Sequence, residues 1–130
     1  MQIKNWKLRR PKLLLLALLF LLPFTAWAQK EPIPVSQAFQ LSATAKNDET
    51  IVVRWKIAKG HYLYRDRLRF KILKPRNVNL GQPLLPTGIT RTSPEIGKYQ
   101  VYRNTVWVSI PVIASGKPDI LLQVNYQGCS

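Results

Sequence analysis

What most constrains this chain is a two-residue alternation of apolar and polar side chains that recurs between residues 51 and 126. Within it, Ile51, Val53, Trp55 and Ile57 fall on one side while Arg54 and Lys56 fall on the other. That spacing predicts a strand with one buried face. The pattern returns with Val106, Val108, Ile110 and Val112 turned inward, Pro111 marking an edge or a strand end. It returns again with Ile120, Leu122, Val124 and Tyr126 set against Leu121, Gln123 and Asn125. Leu68, Phe70 and Ile72 alternate with basic residues until Lys74-Pro75 breaks the run, and Phe39, Leu41 and Ala43 alternate more weakly. The segment Asn47–Thr50 reads as a turn, because Asn and Asp side chains hydrogen-bond their own backbone there.

No segment shows a convincing helical period. Short strands separated by turns, with no helix to cover a parallel sheet, predict an all-β antiparallel sandwich. Its core is expected to hold Val53, Trp55, Phe70, Val108, Leu122 and Val124. The stretch from Gly81 to Lys98 is interrupted by Pro83, Pro86, Gly88, Pro94 and Gly97, so it is expected to be a long irregular loop.

The first residues follow a different rule. Lys4, Lys7, Arg9, Arg10 and Lys12 precede an apolar run from Leu13 to Phe24, and Ala26-Trp27-Ala28 places small residues at −3 and −1 of a cleavage point. Residues 1–28 are therefore expected to be a signal peptide removed before Gln29, leaving 29–130 as one domain. The apolar run falls well short of the roughly 20 residues a membrane span needs, so no stable span is expected after cleavage. Five of the 20 cations leave with the leader, and 15 remain against 6 acids. Export argues against a nucleic-acid partner for this charge. An anionic envelope surface, an acidic protein or a solvated basic face remain, and Arg65, Arg67, Arg69 and Lys71 at alternate positions favour the solvated face of a strand.

Export also sharpens the chemistry of Cys129, the sole cysteine of the sequence. In an oxidising compartment an unpaired cysteine points to intermolecular pairing or to a reactive thiol. With one histidine and one cysteine, neither a multi-histidine nor a cysteine-rich metal site is possible, and no cofactor is expected. His61 reads as a loop residue after Lys59-Gly60. A Cys129–His61 nucleophile pair is conceivable, but no spacing supports it. The acids form no paired arrangement, so a hydrolase has little support. Tyr62 and Tyr64 alternate about Leu63, so both rings leave one side of an extended segment beside Arg65 and Asp66.

Three motifs go further together than any one alone. "GHYLYRDRLRF" from Gly60, "GKYQVYR" from Gly97 and "VNYQGC" from Val124 resemble, in order and spacing, the periplasmic N-terminal domain of the DsbD family of membrane thiol:disulfide interchange reductases. The resemblance runs from about Phe39 to Cys129. It implies an immunoglobulin-like sandwich that takes electrons from the transmembrane and C-terminal thioredoxin-like domains of the parent reductase. It further implies delivery of those electrons, through mixed disulfides, to periplasmic thioredoxin-like proteins: disulfide isomerases and cytochrome c maturation factors.

By the same resemblance, Cys129 matches the first cysteine of the active pair, and Tyr62 and Tyr64 match tyrosines beside that pair. Ser93, Pro94, Glu95, Ile96 and Gly97 match a cap loop that shields it. The family pattern continues beyond "YQGC" to a second cysteine and a closing strand. The chain is accordingly expected to be truncated after the first cysteine, with the closing strand missing. A sulfur under the cap and beside both tyrosines is expected to be partly exposed. The other open reading is a non-catalytic periplasmic interaction module with a basic face.

Overall fold

The computed structural model describes residues 30–130; the expected leader and its cleavage point lie outside the described residues. A single helical turn, α1 (Val35–Ala38), leads into ten strands: β1 (Phe39–Asn47), β2 (Thr50–Ile57), β3 (Tyr62–Tyr64), β4 (Arg69–Lys74), β5 (Asn79–Leu80), β6 (Ile89–Ser93), β7 (Gly97–Tyr102), β8 (Thr105–Ile113), β9 (Leu121–Asn125) and β10 (Gly128–Cys129).

β1 and β2 form a hairpin because Asn47 closes the turn through its side chain, Oδ1 accepting from the Glu49 N–H at 2.9 Å. β2 then pairs with β8 in the register Val53↔Val108, giving the antiparallel sheet β1-β2-β8-β5. Its inward side chains are those the alternation predicts: Ile51, Val53, Trp55 and Ile57 from β2, and Val106, Val108, Ile110 and Val112 from β8, all buried. Removing such side chains from water contributes about 1.5–3 kcal/mol apiece, which makes this face the principal stabilising element.

A second antiparallel sheet runs β10-β3-β7-β6, and β4 pairs with β9 alone. Leu63 of β3 and Tyr102 of β7, directly paired, turn into the same core. Aromatic rings knit the layers together. Trp55 lies 6.1 Å from Phe70 and 5.9 Å from Tyr126, and Phe39 lies 6.0 Å from Tyr126. The result is an antiparallel sandwich around one core.

Four sequence expectations change. Pro111 is interior to β8 rather than at an edge; it lies opposite Thr50, the first residue of β2, so its missing N–H falls where that ladder ends. Phe70, Leu122 and Val124 are half-buried, because the β4–β9 pair has no further strand to cover its open side. The stretch Gly81–Lys98 is not wholly irregular: its second half forms the β6–β7 hairpin, whose turn needs Gly97 at φ 74°. The basic stripe is interrupted too, since Arg65–Arg67 form a 3-10 turn that leaves only Arg69 and Lys71 of that stripe on strand β4.

Candidate functional site

The chain reaches Cys129 by changing sheets. β9 ends beside β4, Tyr126 drives its ring against Trp55 and Phe39, and the Gln127 carbonyl then accepts from the Tyr64 N–H at 3.0 Å. Two residue pairs follow, Gly128↔Leu63 and Cys129↔Tyr62. Gly128 is required by space rather than by backbone conformation: a Cβ there would fall 2.6 Å from Cε1 of the Phe39 ring. The core side of β10 is thus filled by Phe39, and the next residue, by strand alternation, points the other way.

Cys129 is exposed, which corrects the expectation of partial exposure. β10 is the outermost strand of its sheet, so no described neighbour covers the far side of the sulfur. Residues opposite one another across a ladder share a face, which puts Cys129 and Tyr62 together, with Tyr64 two residues on. Tyr62 and Tyr64 meet edge to face at 5.5 Å, and Tyr64 continues to Tyr99 at 5.7 Å. Arg103 stacks its guanidinium 5.4 Å over the Tyr62 ring. Tyr99 is a member of this row that the sequence reading did not single out, whereas Arg103 was considered there, with Arg65, as a cation for the Cys129 thiol. The signal for Tyr99 was available in the alternation Tyr99, Val101, Arg103 within "GKYQVYR".

The Tyr62 phenol is held well above its ordinary pKa, first by hydrogen bonding with the Cys129 side chain, then by hydrogen bonding with Tyr64, with burial adding to both. The phenol therefore keeps its proton beside the sulfur, where negative charge develops in any thiol exchange. On the core side of the same sheet, burial raises the Tyr102 phenol, partly offset by Arg65.

The cap-loop residues occupy the β6–β7 turn. Ser93 pairs with Gly97, Pro94–Ile96 form the turn itself, and the Ile96 N–H donates to Ser93 Oγ at 3.2 Å. The register Tyr64↔Val101 carries this turn about 13 Å past Tyr64, away from the Cys129 end of the row. The structure thus brings Cys129, Tyr62 and Tyr64 together and sets Ser93, Pro94, Glu95, Ile96 and Gly97 at the opposite end.

His61 does not join the thiol. Its ring packs edge-on against Phe39 at 5.8 Å, on the core side, with Nδ1 3.2 Å from the Lys59 carbonyl. Arg65 is also directed elsewhere, its Nε donating to the Pro86 carbonyl at 3.1 Å.

The chain that carries this thiol is similar to known proteins over most of its length. Residues 29–130 match the family described as "Thiol:disulfide interchange protein DsbD, N-terminal". The chain belongs to this DsbD N-terminal family. Among curated relatives, DsbD 2 of Pseudomonas aeruginosa is 33% identical over 132 residues, covering 92% of this chain and 21% of that protein. DsbD of Cronobacter sakazakii is 33% identical over 99 residues, covering 75% and 16%. The chain therefore spans about a fifth or less of the length of these relatives.

Among solved structures, the reduced DsbD N-terminal domain of Neisseria meningitidis superposes with a TM-score of 0.64 at 31% identity, over 75% of this chain and 76% of that one. A complex between the DsbD N-terminal and PilB N-terminal domains of the same organism gives 0.59 at 28%, over 76% and 75%. With these DsbD neighbours, the sandwich is an immunoglobulin-like one.

Proposed function

We propose that this chain is a periplasmic thiol:disulfide interchange domain, carried across the inner membrane by the leader at residues 1–28, in which Cys129 exchanges with thioredoxin-like proteins. One observation carries the reading: the sole cysteine of a DsbD N-terminal family member stands exposed on an edge strand, directly opposite Tyr62 across the β10–β3 ladder. Among the described residues no helix is long and apolar enough to cross a membrane, which fits a domain working beside a separate membrane portion.

In the proposed step the Cys129 thiolate attacks one sulfur of a partner disulfide. The partner's S–S bond breaks, a new S–S bond joins Cys129 to the partner, and the partner's second sulfur leaves as a thiolate. Releasing the mixed disulfide takes a second thiolate attacking at Cys129, and with one cysteine in these 130 residues that thiol comes from outside them. Electrons originate, in this reading, in the transmembrane and C-terminal thioredoxin-like domains of a parent reductase. They leave to disulfide isomerases and cytochrome c maturation proteins. The Ser93–Gly97 turn is assigned, by the family resemblance, the shielding role.

The structural neighbour that contains PilB suggests a test partner. The chain is mixed with an oxidised PilB N-terminal domain and run on non-reducing electrophoresis beside Cys129→Ser. A reductant-sensitive linked species from wild type alone supports the proposal. Its absence from wild type, with Cys129 still open to a small thiol reagent, transfers support to a non-catalytic interaction module.

A further inference from the structure

The exchange proposed above needs Cys129 as a thiolate, and one cation stands in its row without adjoining it. The β10–β3 ladder sets Cys129 opposite Tyr62, and the β3–β7 register, carried one residue past Leu63↔Tyr102, sets Tyr62 level with Arg103. With strands about 4.8 Å apart, the Arg103 backbone lies about 10 Å from that of Cys129. At physiological salt the Debye length is about 8 Å, so direct attraction between exposed charges at that spacing is largely screened. Tyr62 stands between the two. Arg103 is held in place by its own chain. It follows β7 directly, and Asn104 then turns at φ 63°, a left-handed conformation that Asn tolerates, while its carbonyl accepts the Ile57 N–H at 2.6 Å. The guanidinium lies 5.4 Å over the Tyr62 ring, and its Nε is enclosed with no hydrogen-bond acceptor among the described residues. The electron-rich face of the ring is therefore its partner, and attraction of this kind strengthens as water is excluded. Tyr64 meets the same ring edge to face at 5.5 Å. His61 and Arg65 are turned elsewhere, to Phe39 and to the Pro86 carbonyl.

We propose that Arg103 is a positioning residue for exchange at Cys129 and acts through Tyr62. Its guanidinium fixes the ring and draws electron density from it, which makes the phenol a stronger hydrogen-bond donor to the thiolate. The contact that carries this effect is the hydrogen bonding between the Tyr62 phenol and the Cys129 side chain, directly opposite on the ladder. The phenol lends a hydrogen bond and keeps its proton, so the electron pair that attacks the partner's disulfide still comes from sulfur. A better-stabilised thiolate is more abundant near neutral pH, and the accompanying loss of nucleophilicity is only about half as steep, so exchange quickens. The inference rests on the exchange reading above and adds to it the residue that sets the reactivity of the sulfur.

The test is the rate at which iodoacetamide alkylates Cys129 at pH 7; the reagent is uncharged, so Arg103 does not attract it. Arg103→Met, which keeps an apolar stem over the ring, and Arg103→Gln are each expected to slow alkylation about threefold or more. Arg103→Lys returns a cation to the ring and is expected to keep at least about two thirds of the wild-type rate. Tyr62→Phe keeps the ring and loses the O–H. In that background Arg103→Met is expected to change the rate less than about 1.5-fold, because the two residues act in series. Urea unfolding midpoints show that each variant compared is folded, and either neutral variant suffices if the other is not. Unchanged rates in the neutral variants overturn the role. So does a Lys variant as slow as the Met variant, since packing rather than charge is then at work. Equal slowing by Arg103→Met with and without the Tyr62 O–H also overturns it, because the guanidinium then acts on the sulfur directly. These three results leave exchange standing, since exchange is read separately with the oxidised PilB N-terminal domain. A wild-type chain that is alkylated but forms no linked species with that domain overturns the exchange reading and this inference with it.

Discussion

Gly128→Ala tests how the core holds the reactive strand. The new methyl carbon would fall against Phe39 Cζ, with Cε1 at 2.6 Å, so the ring must retreat by about 1.5 Å to reach ordinary contact. The ring has nowhere to go: Phe39 is 7% exposed, and His61 at 5.8 Å and Tyr126 at 6.0 Å box it in. Forcing a methyl into packing of this kind costs about 1–3 kcal/mol. β10 is fastened to β3 over two residue pairs, and each hydrogen bond there contributes about 1 kcal/mol net. The two quantities are close, so the strand loosens before the core yields. The expected loss in urea unfolding is about 1–3 kcal/mol. It is accompanied by faster reaction of Cys129 with a small thiol reagent and by a Tyr62 phenol that moves back down toward its ordinary pKa of about 10, read by ultraviolet titration. In a Phe39→Leu background the penalty should shrink to less than about half, since the shorter side chain leaves room. A loss below about 0.5 kcal/mol, or the same loss in both backgrounds, refutes the steric account.

Trp55→Ala removes the largest fully enclosed side chain and is expected to cost about 3–5 kcal/mol in the same assay; a loss near 1 kcal/mol would contradict its place in the core. Tyr62 and Tyr102 both bind their protons more tightly when folded, so their contribution to stability is complete below the unfolded phenol pKa of about 10 and is lost as pH rises through and above it. Tyr62→Phe and Tyr102→Phe should each flatten that alkaline decline, and profiles identical to wild type from pH 9 to 12 would refute the assignment.

Much of the fold is legible one residue at a time. The faces of β2 and β8 follow from alternation alone, because a strand with one dry side must place every second residue there; Val53, Trp55, Val108 and Ile110 are all enclosed. The Asn47 turn is equally local, since its hydrogen bond spans two residues. The pairing of Tyr62 with Tyr64 needs nothing beyond the two-residue period. Prolines and glycines between residues 81 and 98 were misleading: Gly97 punctuates a hairpin there, and what makes β6 a strand is its ladder with β7.

Tertiary structure alone decided where the thiol stands. Alternation in β9 runs smoothly into "YQGC", yet Tyr126 is pinned to Trp55 and Phe39 while Gly128 crosses to the other sheet, where only a residue without a Cβ fits over the Phe39 ring. Local sequence carries no record of that contact, which spans 89 positions, nor of β10 lying outermost so that Cys129 is exposed. The alignment of Cys129 with Tyr62 and Arg103 arises the same way, from a register between strands far apart in the chain. Alternation sorts side chains onto two faces; which strand lies next to which is set by the shared core they bury.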